Sequence, residues 1–443
     1  MADSLRNQNQ AKERYFLRNA ALVAPVDLFW GFGTAITATG PILTVFLQQL
    51  GATNLVIGLA PVAFLMGNTL LQLPSAHLTR NLRRKRVFFA LAHVVPCSAW
   101  IMAGLVTAPL AASYPGAMVW TLLAVIAAFS AANGFLMPMW TQLFPRLFSD
   151  NRRGLIGGLI NLAAGFGGLA GGLYAAHVLA ARAFPLGYAH LFLLAGVVEL
   201  VSVQTYLFVH EEVPEDPRQG VEAPPEPRAG PGLLPSLRVL WREDLRLRRY
   251  LLVRNISEFG FAANAFFAVY AIQQFDLPQS VGGAFVIAAN LGYAAMALFF
   301  GHLGDRRGYR RVVSWSLVCS AFSTLVALVS GEAWLFYLVF LFSGAGLAGD
   351  WMANVNLMIE MSTEERRGYY YGLFSTAMAP VRLVAPLAWG WLGDAMGLRW
   401  AFLGGLGLQV AGIILLLALV DDPRRPGQRF LRWRWRTWRP RLY

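Results

Sequence analysis

The chain has 443 residues, of which 56% are hydrophobic and 14% are charged, and its formal net charge is +13. Soluble domains carry about 25% charged residues, so this composition excludes a soluble globular protein and indicates a chain that crosses a membrane several times. The basic residues lie between apolar runs and in a terminal tail, so we expect no nucleic acid as a partner.

Apolar runs near twenty residues, the length that crosses a bilayer, occur twelve times along the chain. Before them, residues 1–19 are polar and lack the apolar core of a signal peptide, so we expect a cytoplasmic N-terminal segment. Six runs fall in 20–209 and six in 249–420, which predicts an all-α membrane protein of two six-helix bundles. We number the runs spans 1 to 12, and they cover residues 20–48, 54–78, 87–110, 117–146, 153–180, 187–209, 249–275, 280–303, 310–330, 334–360, 368–393 and 398–420.

Positive charge is concentrated in every second loop. The loops after spans 2, 4, 8 and 10 are rich in arginine, whereas the loops after spans 1, 3, 7 and 9 contain almost no basic residue. Because basic loops stay in the cytoplasm, this asymmetry predicts a multi-pass protein of the cytoplasmic (inner) membrane with both termini in the cytoplasm. Anionic lipid is the expected partner of the basic loops.

Two further segments lie outside the spans. Residues 210–248 begin with a stretch rich in proline and acids, which predicts a disordered linker, and end in an amphipathic helix at the membrane surface. Residues 421–443 interleave eight arginines with three tryptophans. We interpret this basic tail as an anchor on anionic lipid, and an arm that binds nucleic acid or a protein partner is the alternative.

The two bundles are related in sequence. With an offset of 225 residues, Gln48-Gln49 fall on Gln273-Gln274 without a gap. Two related groups of six spans are typical of transporters whose halves rock about a site near the membrane midplane. The clearest motif follows span 8 and reads Gly301-x-x-x-Asp305-Arg306-x-Gly308-x-Arg310-Arg311.

This motif resembles the signature that members of the major facilitator superfamily carry between the second and third helices of a half. The pairs that open spans 5 and 11, Arg153-Gly154 and Arg367-Gly368, are also similar to that superfamily. The resemblance covers about residues 17–420 and implies a bacterial-type transporter with twelve transmembrane helices in two pseudo-symmetric bundles, with spans 1, 4, 7 and 10 lining a central cavity. One position departs from the pattern, because Arg80 stands in the first half where Asp305 stands in the second.

The departure suggests a gate of matched charges on the cytoplasmic side. We expect the basic loop of the first half to face Glu364 and Glu365 near the start of span 11, and Asp305 to face the positive end of span 5. Both contacts would close the cytoplasmic side. The alternative is that these loops only orient the chain. The predicted gate residues are Arg80, Arg83, Arg84, Arg153, Gly301, Asp305, Arg306, Gly308, Arg310, Arg311, Glu364, Glu365 and Arg367.

Ionisable residues well inside a span are costly, so each of them is a candidate site. Glu258 is either a proton-coupling acid or the partner of Arg254, which lies one turn away. Asp350 is either a coupling acid or the partner of Arg382, and Arg382 binds a substrate anion or neutralises Asp350. The predicted pathway for substrate and protons comprises Asp27, Asn133, Trp140, Glu258, Asn264, Tyr270, Asp350, Asn354 and Arg382.

Three of these assignments have further alternatives. Asp27 is either a site residue or an acid in interfacial water, and Trp140 and Tyr270 either stack on a ligand or pack inside the bundles. Glu199 lies in span 6, away from the expected cavity, and is assigned a structural role. Because acids outnumber arginines inside the spans, either one acid changes protonation during transport or the excess attracts a cationic substrate.

The sequence thus predicts a secondary active transporter that moves a small organic molecule by alternating access, coupled to protons, with export favoured over uptake. The alternatives are a facilitative or uptake carrier for an organic anion or a sugar, and a non-transporting membrane sensor or scaffold on the same fold. No H-E-x-x-H, G-x-S-x-G or G-x-x-x-x-G-K-[ST] pattern occurs, and both cysteines, Cys97 and Cys319, lie in apolar segments. We therefore expect no enzyme activity, no metal and no cofactor, and a monomer.

Overall fold

The computed structural model of the chain describes residues 12–37, 40–79, 82–213, 241–242, 244–362 and 367–422. The predicted basic tail from residue 423 onward and most of the predicted linker lie outside these ranges, as does most of its predicted amphipathic helix, residues 233–249. The end of that predicted helix is instead the first turn of the span 7 helix, Leu245–Phe261, which is capped by Asp244. Every regular element within them is a helix. The α-helices are Phe16–Thr37, Pro41–Gln49, Asn54–Leu70, Gln72–Thr79, Lys85–Ala92, Val94–Ser113, Pro115–Leu147, Asp150–Ala181, Leu186–Val203, Leu245–Phe261, Phe267–Phe275, Val281–Arg307, Tyr309–Val329, Leu335–Met361, Arg367–Met396 and Leu398–Leu419, and Gln204–Phe208 and Ala262–Phe266 are 3-10 helices.

Helices occupy all twelve predicted positions, and we keep the span numbers for them. In the described ranges, nine helices are long and apolar enough to cross a membrane, and they correspond to spans 1, 3, 4, 5, 6, 8, 9, 10 and 12. Each of the other three spans departs from a regular, uniformly apolar helix. Span 2 is broken at Leu71, span 7 contains the 3-10 turn Ala262–Phe266, and span 11 contains Pro380 and Pro386, which remove backbone donors and bend a helix.

The two halves have the same packing arrangement. In the first half, span 1 packs along spans 5 and 6, span 4 packs along spans 2 and 3, and spans 3 and 6 pack together. In the second half, span 7 packs along spans 11 and 12, span 10 packs along spans 8 and 9, and spans 9 and 12 pack together. Each contact of one half therefore has its counterpart in the other, as the internal sequence repeat predicts.

The halves meet mainly along two seams, one between spans 2 and 11 and the other between spans 5 and 8, and the end of span 1, Pro41–Gln49, also contacts spans 7 and 8. Phe16 begins span 1 and Phe208 ends span 6, and Leu245 begins span 7 and Leu419 ends span 12. Because each half has six antiparallel spans, it begins and ends on the same side, which we call the linker face. The opposite side is the distal face. Spans 2 and 8 begin at the distal face, and spans 5 and 11 end there.

Spans 1 and 5 are in backbone contact. A Cβ atom added at Gly167 would collide with the carbonyl oxygen of Leu28, and one added at Gly31 would collide with the carbonyl oxygen of Ala164. Glycine is needed at both positions because small residues let two helices in a membrane approach closely. This packing is the physical reason for Gly167 and Gly171, two of the glycines of span 5.

The start of the linker is fixed to the linker face. The Glu211 carboxylate accepts hydrogen bonds from the backbone N–H groups of Lys85 and Arg86, both at 3.0 Å, and from Nη1 of Arg146 at 2.9 Å. Glu211 thereby caps the first turn of span 3, where unpaired N–H groups favour a carboxylate. The predicted disordered linker thus has an ordered start at residues 210–213.

Candidate functional site

Four ionisable residues of spans 7, 10 and 11 form one connected network. Nη2 of Arg254 lies 3.0 Å from Oε2 of Glu258 and 2.6 Å from Oδ1 of Asp350. Nε of Arg382 donates to Oε1 of Glu258 at 2.8 Å. Two guanidinium groups and two carboxylates, when all are ionised, give this charge network a net charge of zero, and charge-assisted bonds of this kind are the strong ones.

Neutral polar groups extend the charge network towards the linker face. Nδ2 of Asn354 donates to Oδ2 of Asp350 at 2.9 Å, and the Tyr250 hydroxyl donates to Oδ1 of Asn354 at 2.9 Å. Asn354 lies one turn from Asp350, and its amide therefore satisfies the carboxylate oxygen that Arg254 leaves unpaired. Both oxygens of Asp350 are bonded, which fixes the side chain.

The two arginines of the charge network differ in exposure. The Arg254 side chain is 1% exposed, whereas the Arg382 side chain is 34% exposed. Arg382 uses only Nε within the charge network, and its two terminal nitrogens have no hydrogen-bond partner in the described part of the chain. Arg254 is thus the buried centre of the charge network, and Arg382 is its accessible edge.

The acids of the first half have a different environment. Glu199 is fully buried against Gly33 of span 1, and neither of its carboxyl oxygens has a hydrogen-bond partner among the described residues. Asp27 is half-buried in span 1 and makes no ion pair with another described residue. The predicted excess of acids over arginines is therefore located in the first half, because the second-half charges cancel one another.

The aromatic residues of the predicted pathway pack within the bundles. Trp140 contacts Phe89, Phe144 and Tyr206, with ring centroids 5.9, 5.1 and 5.8 Å away. Tyr270 contacts Phe336 and Phe402 at 6.0 and 5.2 Å. The structure thus gives both rings packing partners, which was the alternative to stacking on a ligand.

Two asparagines of the predicted pathway are also placed. Asn264 hydrogen bonds with Ser320 and Thr324 of span 9, at 3.4 and 3.2 Å, and with Gln409 of span 12 at 3.4 Å. Its polar contacts are therefore separate from the charge network. Asn133 is half-buried in span 4.

The halves are in close contact at the distal ends of both seams. A Cβ at Gly58 of span 2 would come within 2.6 Å of the Pro386 carbonyl oxygen of span 11, and one at Gly283 of span 8 within 2.5 Å of the Ala176 nitrogen of span 5. Nε2 of Gln279, just before span 8, donates to the Leu179 carbonyl of span 5 at 3.1 Å. Backbones in such contact close the distal face.

Four glycines of spans 5 and 11 nearer the linker face make no such contact with a described residue. At Gly157, Gly158 and Gly165 of span 5 and at Gly372 of span 11, an added Cβ would meet no described atom within 4 Å. Arg382 lies one helical turn from Pro386 on the side of the linker face. The accessible edge of the charge network therefore lies next to the tight contact between spans 2 and 11.

The predicted gate is only partly described. Arg80, Glu364 and Glu365 lie outside the described residues, as does the side chain of Arg367. Arg83 and Arg84 are exposed at the start of span 3. The pairing of this basic loop with Glu364 and Glu365 stays a prediction.

Three of the described gate residues make the following hydrogen bonds, of which that of Arg310 reaches span 12. Asp305 accepts a hydrogen bond from the Tyr309 hydroxyl at 3.0 Å, and Nε of Arg153 donates to the Phe148 carbonyl at 3.3 Å. Nη2 of Arg310 donates to the Leu417 carbonyl at 3.3 Å. The remaining gate residues share the hairpin between spans 8 and 9, in which a positive φ of 86° at Gly308 makes the turn, and they are Gly301, Arg306 and Arg311.

Known proteins with related sequences are membrane transporters. A multidrug resistance protein, MdtG, of Serratia proteamaculans (strain 568) is 30% identical over 132 residues, which are 30% of this chain and 32% of that protein. A Na⁺, Li⁺, K⁺/H⁺ antiporter of Planococcus maritimus is 27% identical over 182 residues, 39% of this chain and 41% of that protein. The matched stretches span less than half the length of either relative.

Solved structures show the same fold over about nine tenths of the chain. A mutant of the nucleoside transporter NupG has a TM-score of 0.72 at 11% identity, covering 91% of this chain and 100% of that one. A D-xylose–proton symporter has a TM-score of 0.68 at 13% identity, covering 93% and 99%. The family model described as Major Facilitator Superfamily matches residues 28–289 and 250–442. The chain therefore belongs to the Major Facilitator Superfamily.

Proposed function

We propose that the chain is a secondary active transporter that moves a small organic molecule across the cytoplasmic membrane by alternating access, coupled to protons and in the direction of export. The charge network of spans 7, 10 and 11 carries this proposal, because ionisable groups at the middle of a membrane mark pathways for substrates and protons. Two relatives have names that support it, one a multidrug resistance protein and the other a cation/proton antiporter.

The seams support alternating access. Tight contacts at the distal face and open space around the glycines of the linker face are the arrangement of a carrier with one side closed. The basic loops lie on the linker face, which we propose is the cytoplasmic side. An exporter in this state would load its substrate from the cytoplasm beside Arg382.

Glu258 is the proposed proton-coupling acid. It bonds to Arg254 and to Arg382 at once, so one proton on this carboxyl weakens two ion pairs on two different spans. Spans 7 and 11 are then less firmly joined, which links protonation to movement within the second half. Asp27, which makes no ion pair with the described residues, supplies a carboxylate for a cationic group of the substrate.

A second candidate, a carrier for an organic anion, has its own observation. The two terminal nitrogens of Arg382 have no hydrogen-bond partner among the described residues, and the side chain is 34% exposed. A guanidinium group with two such nitrogens matches the two oxygens of a carboxylate. Neutral and anionic substrates should therefore be tested along with cations.

The test is transport by the purified protein in liposomes with an imposed pH gradient, screened against libraries of cationic, anionic and neutral small molecules. We expect Glu258→Gln to abolish accumulation driven by the gradient and to retain exchange of substrate. Glu332→Gln, at an exposed acid of the distal face, is the matched control and should leave both unchanged. Unchanged accumulation by Glu258→Gln would remove Glu258 from the coupling mechanism.

Deletion of residues 423–443 separates a transporter from a scaffold. If the chain transports, flux persists after the basic tail is removed, because the charge network and both seams lie elsewhere. A chain that moves no substrate in any of these screens, but loses a bound protein partner with its tail, is a scaffold.

A further inference from the structure

Asp394, in the last turn of span 11, caps the start of span 2 across the seam. Its Oδ1 accepts a hydrogen bond from the Asn54 N–H at 2.7 Å, and its Oδ2 accepts one from the Leu55 N–H at 2.9 Å. The first turn of a helix has N–H groups without intrahelical partners and carries the positive end of the helix dipole, so a carboxylate is favoured there.

The cap of span 2 is shared between the halves. The Thr53 hydroxyl, from the same half, accepts from the Val56 N–H at 3.3 Å, whereas the N–H groups of Asn54 and Leu55 are paired with Asp394 from the other half. When the distal face opens, Asn54 and Leu55 lose the carboxylate and exchange it for water. The contact is thus specific to the closed distal face.

Asp394 is the end of a continuous contact stripe. Pro386, Gly390 and Asp394 are four residues apart and lie on one face of span 11. A Cβ at Gly390 would come within 2.5 Å of the Asn54 carbonyl oxygen, one turn beyond the contact between Pro386 and Gly58. The backbone approach at Gly390 brings the Asp394 carboxylate within reach of span 2.

The sequence around Asp394 repeats the motif that follows span 8. Both segments read Gly-x-Leu-Gly-Asp-x-x-Gly, at residues 301–308 and 390–397. The final glycines, Gly308 and Gly397, have positive φ values of 86° and 96°. In each hairpin, the fourth residue of the motif lies against the side chain that follows the turn, Tyr309 or Leu398. One local structure therefore occurs twice.

The two copies lie on opposite faces of the molecule. Residues 301–308 end span 8 at the linker face, and residues 390–397 end span 11 at the distal face. The first helical residue of span 2 lies at the distal face beside Asp394. Within each half of this fold, the first and second groups of three spans are related by inversion. The start of span 2 at the distal face therefore corresponds to the start of span 5 at the linker face, where the hairpin of Asp305 also lies.

We propose that Asp394 is the latch of the distal face. Asp394 caps the start of span 2 while the distal face is closed, and this cap stabilises the closed state until the face opens. This inference rests on the proposed alternating access, but its test requires no substrate.

Pulsed electron paramagnetic resonance between nitroxide labels measures opening of the distal face. The labels are placed at Tyr114→Cys and Glu332→Cys, which are exposed distal positions in different halves, in a background with Cys97→Ala and Cys319→Ala. We expect Asp394→Ala to raise the ratio of distal-open to distal-closed molecules about tenfold, which corresponds to the loss of charge-assisted hydrogen bonds.

Asp276→Asn is the matched control, because Asp276 is another exposed acid of the distal face and its left-handed backbone, with φ of 47°, tolerates asparagine. It should leave the distance distribution unchanged. An unchanged distribution in Asp394→Ala, or an equal change in Asp276→Asn, would overturn the latch. Since the measurement is made without substrate, a failure of the latch is distinct from a failure to transport.

Discussion

The two halves of the chain share one packing arrangement but differ in their buried charges. In the second half, Arg254, Glu258, Asp350 and Arg382 neutralise one another within a single network. In the first half, Glu199 is fully buried without a hydrogen-bond partner among the described residues. The two halves thus have the same helix contacts, but only the second half has a charge-balanced interior. The difference predicts that equivalent charge removals have unequal effects in the two halves.

The largest effect is expected for Arg254→Gln. Arg254 is 1% exposed and pairs with two acids, so its loss leaves Asp350 without an ion pair and Glu258 with Arg382 alone. We expect the free energy of unfolding to fall by about 3–5 kcal/mol, measured by thermal or denaturant unfolding in detergent micelles. The double variant Arg254→Gln with Asp350→Asn should recover part of this loss. No recovery would show that the effect is one of packing alone.

A smaller loss is expected for Arg382→Gln, in the same charge network. Its side chain is 34% exposed and makes one ion pair, so solvent screens the remaining charge of Glu258. We expect a loss of about 1–2 kcal/mol in the same unfolding measurement, with Arg382→Lys intermediate. A loss equal to that of Arg254→Gln would contradict the assignment of Arg382 as the accessible edge.

Glu199→Gln tests the first half. The amide fills the volume of the carboxyl group, and no ion pair with a described residue is lost. We expect the free energy of unfolding to change by less than about 1 kcal/mol. A loss comparable with that of Arg254→Gln would show that the first half is organised by charge as well.

The smallest effect concerns a charged contact outside the membrane. The Glu13 carboxylate accepts a hydrogen bond from the Ser149 hydroxyl and pairs with Nε of Arg152 at 3.3 Å. The Ser149 hydroxyl, and next Arg152, hold the pKa of Glu13 below its ordinary value of 4.5. Because the folded pKa is depressed, the contact is fully present above pH 4.5 and is lost as the pH falls through the folded pKa.

Hydrogen exchange or limited proteolysis near Lys12 measures this contact. We expect protection of the segment to fall on acidification below pH 4.5, with Glu13→Gln unprotected at every pH. Unfolding of the spans should not follow the same pH dependence, since Glu13 is an exposed residue outside the spans. A coincident loss of both would show that the segment is part of the core.

Sequence reasoning could place the spans and the two halves because these depend on local composition. It also found Glu258 and Arg254 as a possible pair, since four residues along one helix is a local relation. It paired Arg382 with Asp350, whereas the direct contact of Arg382 is with Glu258. Which acid Arg382 reaches depends on how far spans 7, 10 and 11 are shifted along the membrane normal relative to one another. That shift is set by contacts between helices, and residue spacing in the sequence does not specify it.

The distal seam was missed for a similar reason. Asp394 and Gln279 lie near the ends of spans, where an exposed polar residue is ordinary, and neither lies in the membrane middle. The repeated Gly-x-Leu-Gly-Asp-x-x-Gly pattern was a signal that could have identified Asp394. The packing of Trp140 and Tyr270 also depends on rings from other spans, and no spacing rule reveals those neighbours.

The backbone contact between spans 1 and 5 has a mechanical consequence. Since Gly31 and Gly167 leave no side chain between the two helices, no soft layer can absorb a displacement. We therefore expect a displacement of span 5 at its seam with span 8 to move span 1, and with it Asp27, as one rigid pair of helices.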